Sequence, residues 1–147
     1  MPRGCFVDTN VLLYAQDRRA PEKQSRSSEW LAALAAHDLL VISPQVMNEF
    51  THTVLRKMAH VTPDDLIVVL EEMRRWCSAA TSAETAINGL IVHRRYGFSF
   101  YDSTLLASAL LAGCEMFLSE DLSDRQRVGD LRIINPFASA PDAVLKS

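Results

Sequence analysis

The sequence predicts an α/β fold with a central parallel sheet, and three observations support this. Short apolar runs such as CFV, LLVI and MFLS alternate with segments whose apolar residues recur at helical spacing. Proline and capping residues separate the two kinds of segment. The composition, with 48% hydrophobic and 22% charged residues, is ordinary for a globular domain. Apolar strands alternating with helices are typical of a sheet covered on both faces.

In the first half of the chain, the strand CFV leads directly into a helix. A second helix is expected from about Pro21 to Ala36, and LLVI forms the next strand. A third helix follows, with Ser43 as its N-cap and Pro44 in its first turn. The residues of the second and third helices that are expected to face the core are Trp30, Leu31, Leu34 and Ala35, then Val46, Phe50, Val54 and Met58.

The next two helices are each expected to begin with a capping box. Thr62 and Asp65 cap the first of them, and Thr81 and Glu84 are the candidates for the second, which runs to about Tyr96. Between them, CSAAT is a weak strand candidate. The inward-facing residues of the first of these helices are Leu66, Val69, Leu70 and Met73.

The remaining elements are a buried helix and two strands. FYDSTLLASALLAGC is apolar on nearly all sides and is expected to end at Gly113. MFLS and LRII complete the sheet. No composition shift marks a linker, so we expect one domain over residues 1–147, with 136–147 as a C-terminal tail.

Charge and cysteine content narrow the class of protein. The net charge of −3 is not that of a generally basic nucleic-acid binder, so such a partner would need local charge or a metal. Cys5, Cys77 and Cys114 are widely spaced and odd in number, which indicates buried thiols in a reducing compartment. Asp8 interrupts any signal-peptide core, and no apolar run is long enough to span a membrane. We expect a cytoplasmic protein that does not bind membranes.

Four acidic residues are expected to lie near one edge of the sheet. Asp8 follows the first strand and Asp121 follows MFLS, and the carboxyl ends of parallel strands meet at the same edge. Asp102 opens the helix that leads into MFLS. Glu49 lies in the second turn of the helix after LLVI, beside Phe50. The four carboxylates can therefore meet, although they are far apart in sequence.

Each acid also has a purely structural interpretation. Asp102 could be a helix N-cap, Glu49 could lie on a solvated helix face, and Asp121 could lie in an exposed turn. Asp8 is the hardest to explain in this way. Its flanks are apolar, and burying an unpaired carboxylate costs several kcal/mol.

Carboxylates that meet at one place repel, so they must bind protons or a cation. A set of oxygen ligands without cysteine or histidine favours Mg²⁺, or Mn²⁺ in its place, over zinc. Such a cation can generate a hydroxide nucleophile and stabilise charge on a phosphodiester. Thr9 and Asn10 would supply hydrogen-bonding groups beside Asp8.

The segments VDTNVLLYA, SPQVMNEF, SFYDSTLLASAL and FLSEDL resemble, in order and spacing, the successive acidic motifs of PIN-domain nucleases. They resemble most closely the VapC-type toxins of bacterial toxin–antitoxin pairs. The resemblance implies a PIN-like three-layer α/β/α fold and metal-dependent endoribonuclease activity. It implies that the catalytic residues and metal ligands are Asp8, Glu49, Asp102 and Asp121, and that Ser119 and Asn10 support them.

The identity of the fourth acid is open, because Glu120, Asp121 and Asp124 crowd the segment SEDLSDRQ. We prefer Asp121, since the order hydroxyl-x-Asp places it two residues after Ser119. Asp124 is then expected in a supporting role.

These inferences lead to the hypothesis of a Mg²⁺-dependent toxin that cuts RNA with metal-activated water, associates as a homodimer and is neutralised by a cognate antitoxin. The alternatives are a non-catalytic, metal-stabilised domain that binds a partner, and a nuclease that acts on DNA. Basic pairs that could border an RNA track are Arg18-Arg19, Arg56-Lys57, Arg74-Arg75 and Arg94-Arg95.

Overall fold

A computed structural model describes residues 3–145, which form a five-stranded sheet with surrounding helices. The strands are β1 (Cys5–Val7), β2 (Leu40–Val41), β3 (Met116–Leu118), β4 (Arg127–Val128) and β5 (Leu131–Ile134). The helices are α1 (Thr9–Gln16), α2 (Pro21–Ala36), α3 (Pro44–Lys57), α4 (Pro63–Met73), α5 (Ala83–Tyr96), α6 (Phe100–Leu111) and α7 (Pro141–Val144), and a 3-10 helix, Arg74–Trp76, follows α4.

The sheet has the strand order β2-β1-β3-β5-β4. β2, β1, β3 and β5 are parallel, and β4 pairs antiparallel with β5 at the edge. The parallel strands therefore end at one common edge, which we call the carboxyl edge. The predicted α/β class and central parallel sheet are confirmed. The two-residue strand β4 was not predicted.

The two central strands are buried on both faces. All three residues of β1 and all three of β3 are buried, although successive side chains point to opposite faces. Phe6 and Phe117 occupy the same register position and stack with ring centroids 5.3 Å apart. Burying one such ring contributes roughly 2–3 kcal/mol. The packing fixes the ends of β1 and β3 beside each other.

The capping predictions for α3 and α4 are confirmed. The Ser43 hydroxyl accepts the Val46 N–H at 3.5 Å, and Thr62 and Asp65 bond each other's backbone N–H groups at 3.0 and 3.1 Å. The core faces are largely as predicted. Ala35 is an exception, because it lies on the exposed side of α2.

Two predictions between α4 and α6 are wrong. CSAAT is not a strand: Ile42 donates to the Trp76 carbonyl and accepts from the Ala79 N–H, but no ladder continues. The capping box of α5 is shifted by one residue. Thr85, rather than Glu84, accepts the Ser82 N–H at 2.8 Å. The Thr81 hydroxyl instead accepts the backbone N–H of Gln45 at 3.1 Å.

The C-terminal segment packs against the second helix. The Trp30 indole N–H lies 3.1 Å from the Pro136 carbonyl oxygen and 2.9 Å from that of Ser139. Phe137 meets the Tyr14 ring edge-on, with centroids 5.4 Å apart. Residues 136–145, including the unpredicted α7, therefore lie on the domain. Residues 146–147 of the predicted tail lie outside the described residues.

Two observations concern the predictions about compartment. Cys5 and Cys114 are buried as predicted, whereas Cys77 is half-buried, and all three thiols are free. Within residues 3–145, no helix combines the length and hydropathy that a membrane crossing requires.

The contact between α5 and α6 depends on Gly89. A Cβ at this position would lie 2.7 Å from Thr104 Cγ2 and 3.0 Å from Thr104 Cα. We expect Gly89→Ala to lower the free energy of unfolding by about 1–3 kcal/mol, although alanine has the higher helix propensity. Chemical denaturation would measure this. Adding Thr104→Ser, which removes the Cγ2 methyl, should restore part of the loss, and a stabilising Gly89→Ala would contradict the packing argument.

Candidate active site

Three short hydrogen bonds hold Asp8 in place at the carboxyl edge. Its backbone N–H donates to the Leu118 carbonyl at 3.0 Å, which continues the β1–β3 pairing. Its Oδ1 accepts the Thr9 N–H at 2.7 Å, so Asp8 caps α1. Its Oδ2 accepts the buried Ser119 hydroxyl at 2.8 Å. The residue is only 6% exposed.

Burial makes the Asp8 carboxylate difficult to ionise. Desolvation raises its pKa to about 7, the Ser119 and Thr9 hydrogen bonds oppose the shift, and the charges of Asp102 and Asp121 add to it. Among residues 3–145, no Lys, Arg or His nitrogen lies within 4.0 Å of this carboxylate. Asp8 therefore has hydrogen-bond donors but no positive partner in the described chain.

Asn10 and Ser119 connect Asp121 to Asp8. The Asn10 Nδ2 group lies 2.9 Å from Asp121 Oδ2 and 3.4 Å from Asp8 Oδ2. The Ser119 hydroxyl, which donates to Asp8, also accepts the Asp121 N–H at 3.2 Å. Asp121 itself is exposed, in the loop after β3. One amide and one hydroxyl thus position two carboxylates.

Glu49 is half-buried on α3 and is not a freely solvated side chain. Its Oε2 accepts the Thr9 hydroxyl at 2.8 Å, and its Oε1 accepts the Gln45 amide at 3.0 Å. Gln45 in turn accepts the Thr104 hydroxyl at 3.0 Å. Gln45 and Thr104 were missed in the sequence. The one available signal was the four-residue spacing of Gln45 and Glu49, which places both on one helix face.

Asp102 lies in the first turn of α6 but does not cap it. The N-cap is Ser99, whose hydroxyl accepts the Asp102 N–H at 3.2 Å. Burial raises the pKa of Asp102, the Ser99 hydroxyl opposes this, and the charges of Asp121 and Glu49 add to it. Asp102 therefore interacts electrostatically with the other acids. We call Asp8, Glu49, Asp102 and Asp121 the acidic cluster.

The three acids of the segment SEDLSDRQ have different partners. Glu120 forms an ion pair with Lys23 of α2. Asp124 accepts the Asn135 N–H at 2.8 Å and so ties its loop to the end of β5. Asp121 alone of the three contacts Asn10 and Ser119. Of the three acids, Asp121 is thus the one that is joined to Asp8 through shared partners, and Asp124 holds its loop.

The donor set fits a hydrated divalent cation better than a fully ligated one. Among residues 3–145, no three His, Cys, Asp or Glu side chains are grouped closely enough to hold one ion together. However, Mg²⁺ usually keeps several waters and contacts only one or two carboxylates. Asn10 Oδ1 is buried and has no hydrogen-bond donor among the described residues. A hydrated cation would carry the O–H donors that this oxygen lacks.

The chain matches the model of one protein family over most of its length. The model of the PIN domain matches residues 5–129, which is most of the chain. The chain belongs to the PIN domain family. The family resemblance that the acidic motifs indicate is therefore confirmed. PIN domains are nucleases, which are hydrolases.

Solved structures share the fold of this PIN domain. One is a toxin–antitoxin complex from Klebsiella pneumoniae, with a TM-score of 0.63 and 15% identity over 90% of this chain and 98% of that chain. Another is VapBC2 from Rickettsia felis bound to a DNA fragment from their promoter, with a TM-score of 0.61 and 15% identity over 88% and 96% of the two chains. A comparison with curated proteins found no match.

The raised pKa of Asp8 predicts an unusual pH dependence for the metal-free PIN domain. Between about pH 4 and 7 the folded state holds a proton that the unfolded state has lost, so the free energy of unfolding should fall as the pH rises. The upper bound is about 4 kcal/mol. Asp8→Asn should remove most of this slope, as measured by denaturation in chelator at several pH values.

The exposed Asp65 provides the control. The Thr62 N–H and hydroxyl hold the pKa of Asp65 below its usual range, so this residue titrates below the window. Asp65→Asn should leave the slope between pH 4 and 7 unchanged. Equal slopes in the wild type and in Asp8→Asn would show that Asp8 does not take up the proton.

Proposed function

We propose that this PIN domain is a Mg²⁺-dependent endoribonuclease of the cytoplasm and the toxin of a toxin–antitoxin pair. The observation that carries the proposal is the acidic cluster itself. Four carboxylates share one edge of the sheet, one of them is buried, and none has a cationic partner among residues 3–145. A structural role for the buried Asp8 would pair its charge with a cationic side chain, whereas a metal-dependent site needs carboxylates that are not already neutralised by one.

Asp8 is the central metal ligand in this proposal, with Asp102, Asp121 and Glu49 contacting the ion directly or through its waters. Bound Mg²⁺, or Mn²⁺ in its place, would lower the pKa of the hydrolytic water and offset charge on the phosphodiester. The predominance of oxygen donors favours these ions over zinc.

The surrounding residues of the chain act by fixing the carboxylates before substrate arrives. Ser119 and the Thr9 N–H hold the two oxygens of Asp8, and Asn10 sets the position of Asp121. The Thr9 hydroxyl donates to Glu49, so the residue that follows Asp8 also positions the Glu49 carboxylate. Such preorganisation reduces the reorganisation that the reaction would otherwise require.

Two observations favour RNA as the substrate and a toxin as the role of this chain. The acidic motifs resemble those of VapC-type toxins, and the fold is shared with two proteins solved in toxin–antitoxin complexes. An antitoxin is proposed for the same reasons. The expected homodimer stays a prediction. It is supported by the exposed apolar side chains of Ile87, Leu90 and Ile91, which share one face of α5.

The proposal predicts metal-dependent cleavage that distinguishes two adjacent acids. The purified chain should cut single-stranded RNA with Mg²⁺ or Mn²⁺ and lose this activity in excess chelator. Asp121→Asn should reduce the cleavage rate by at least about a hundredfold, because it removes one of the carboxylate charges that would hold the metal ion. Glu120→Gln makes the same charge change one residue away, but breaks only the pair with Lys23, and should retain most activity. Gel analysis of labelled RNA would measure both.

Three other results would contradict the proposal in different ways. Full activity in excess chelator would exclude the metal role. Cleavage of matched single-stranded DNA but not of RNA would make the chain a DNA nuclease. A chain that binds metal but cuts neither substrate would support the non-catalytic, partner-binding alternative.

The antitoxin is expected to insert a basic side chain into the acidic cluster. An arginine can bond paired carboxylates in a bidentate manner, and such charge-assisted bonds are about twice as strong as neutral ones. Raising Mg²⁺ should therefore weaken inhibition, and replacing that arginine should restore cleavage while the complex still forms. Inhibition that is indifferent to both changes would mean that the antitoxin acts away from the cluster.

A further inference from the structure

Two adjoining cavities connect the acidic cluster with basic side chains. The first, of about 280 Å³, is lined by Asn10 and Asp121 and also by Arg19 and Lys57. The second, of about 500 Å³, shares Arg19 and Lys57 and adds Arg18. Because the two cavities share lining residues, they are neighbours on the surface, and we call the two together the depression. We call Arg18, Arg19 and Lys57 the basic strip.

The ends of two neighbouring helices place the basic strip. α1 ends at Gln16 and α3 ends at Lys57, and the two helices pack together. A basic residue in the last turn of α3 is favoured by the helix dipole. Leu13 and Met58 give the first cavity an apolar part of its lining. The strip is therefore built on helix ends that the core holds in position.

Most of the charge of the strip is available to a ligand. Arg19 pairs with Asp17, with Nε and Oδ1 3.0 Å apart. Arg18 and Lys57 form no ion pair or side-chain hydrogen bond with any residue in the range 3–145. Lys23, by contrast, is already engaged by Glu120. The strip with Asp17 thus has a net charge of about +2, directly beside a strongly anionic site.

The basic strip can supply the attraction for RNA that the acidic cluster lacks. A chain of net charge −3 with four clustered carboxylates repels a polyanion, so attraction must come from elsewhere on the surface. Resting on the proposed nuclease function, we propose that Arg18 and Lys57 bind backbone phosphates of single-stranded RNA beside the phosphodiester that lies at the acidic cluster. Of the basic residues in the sequence pairs, Arg19 and Lys57 line the same cavity as Asp121, and Arg18 lines the neighbouring cavity that shares Arg19 and Lys57.

Single-stranded rather than double-stranded RNA fits the depression. Proteins that hold single strands combine a positively charged groove along the backbone with apolar or aromatic surface for the bases. Here the basic strip provides the charge, and Leu13, Met58 and Tyr14 provide the apolar surface. Contacts to phosphates carry no base preference, so the strip should strengthen binding of all sequences equally.

Binding without cleavage tests the proposal. All proteins would carry Asp8→Asn, and the probe would be a fluorescent single-stranded RNA of about twelve nucleotides and mixed sequence. Arg18→Gln with Lys57→Gln should weaken binding roughly tenfold at low salt. Between about 50 and 200 mM salt, the slope of log K against log salt should fall in magnitude by about 1.4, because two phosphate contacts are lost.

The matched control removes two positive charges at the opposite edge of the sheet. Arg3 precedes β1. Arg127 lies in β4, opposite Arg132 in the antiparallel strand pairing near the amino end of β5. Arg3→Gln with Arg127→Gln should leave the slope unchanged. Thermal unfolding would show that both double variants are folded. An equal loss of RNA affinity in the two double variants would overturn the proposal. No loss of RNA affinity in either would also overturn it, and the basic strip would then be free to bind an acidic protein segment instead.

Cleavage by the chain with Asp8 intact separates this inference from the proposed function. Arg18→Gln with Lys57→Gln should raise the KM for RNA about tenfold and leave kcat nearly unchanged, since the acidic cluster is intact. An unchanged KM in a chain that still cuts RNA would overturn the basic strip alone. A chain that binds RNA with the expected salt slope but cuts nothing would overturn the nuclease function and leave the strip in place.

Discussion

The site depends on one constraint, the burial of the Asp8 carboxylate at the end of the central strand. A desolvated carboxylate is tolerated only where hydrogen-bond donors reach it, and here the donors come from two separate parts of the fold. The first N–H of α1 reaches Oδ1, and the Ser119 hydroxyl reaches Oδ2. The second contact exists because Val7 and Leu118 are in register. The apolar packing of β1 against β3 therefore sets the geometry of the acidic cluster.

The local parts of the fold could be predicted, and the parts that depend on distant partners could not. Hydrophobic period and helix caps identified β1, β3 and most helices, because these signals lie within a few neighbouring residues. β4 and α7 are too short to have a pattern of their own, and they are held by β5 and by contacts around α2. The capping box of α5 was misplaced because the Thr81 hydroxyl bonds Gln45, which lies 36 residues away.

The same division holds for the candidate site. Parallel-sheet geometry and family resemblance were enough to predict, from the sequence, that Asp8, Glu49, Asp102 and Asp121 lie at one edge. In the sequence, only the order hydroxyl-x-Asp favours Asp121 over its acidic neighbours. The contacts that engage those neighbours come from Lys23 and Asn135, which are remote in sequence. Gln45 was missed for a similar reason. It bonds Glu49 and Thr104 at once, and only Glu49 is close to it in the chain.

The position of β3 has a consequence for the synthesis of the protein. Asp8 emerges from the ribosome before Ser119, its hydroxyl partner, which follows 111 residues later. A nascent chain that ends before Met116 has no third strand, so one side of β1 is open and Asp121 is absent. Pairings of such large sequence separation also form slowly. The complete acidic cluster can therefore form only after β3 and Asp121 have been synthesised, which leaves the cell an interval between the synthesis of Asp8 and the first fully assembled site.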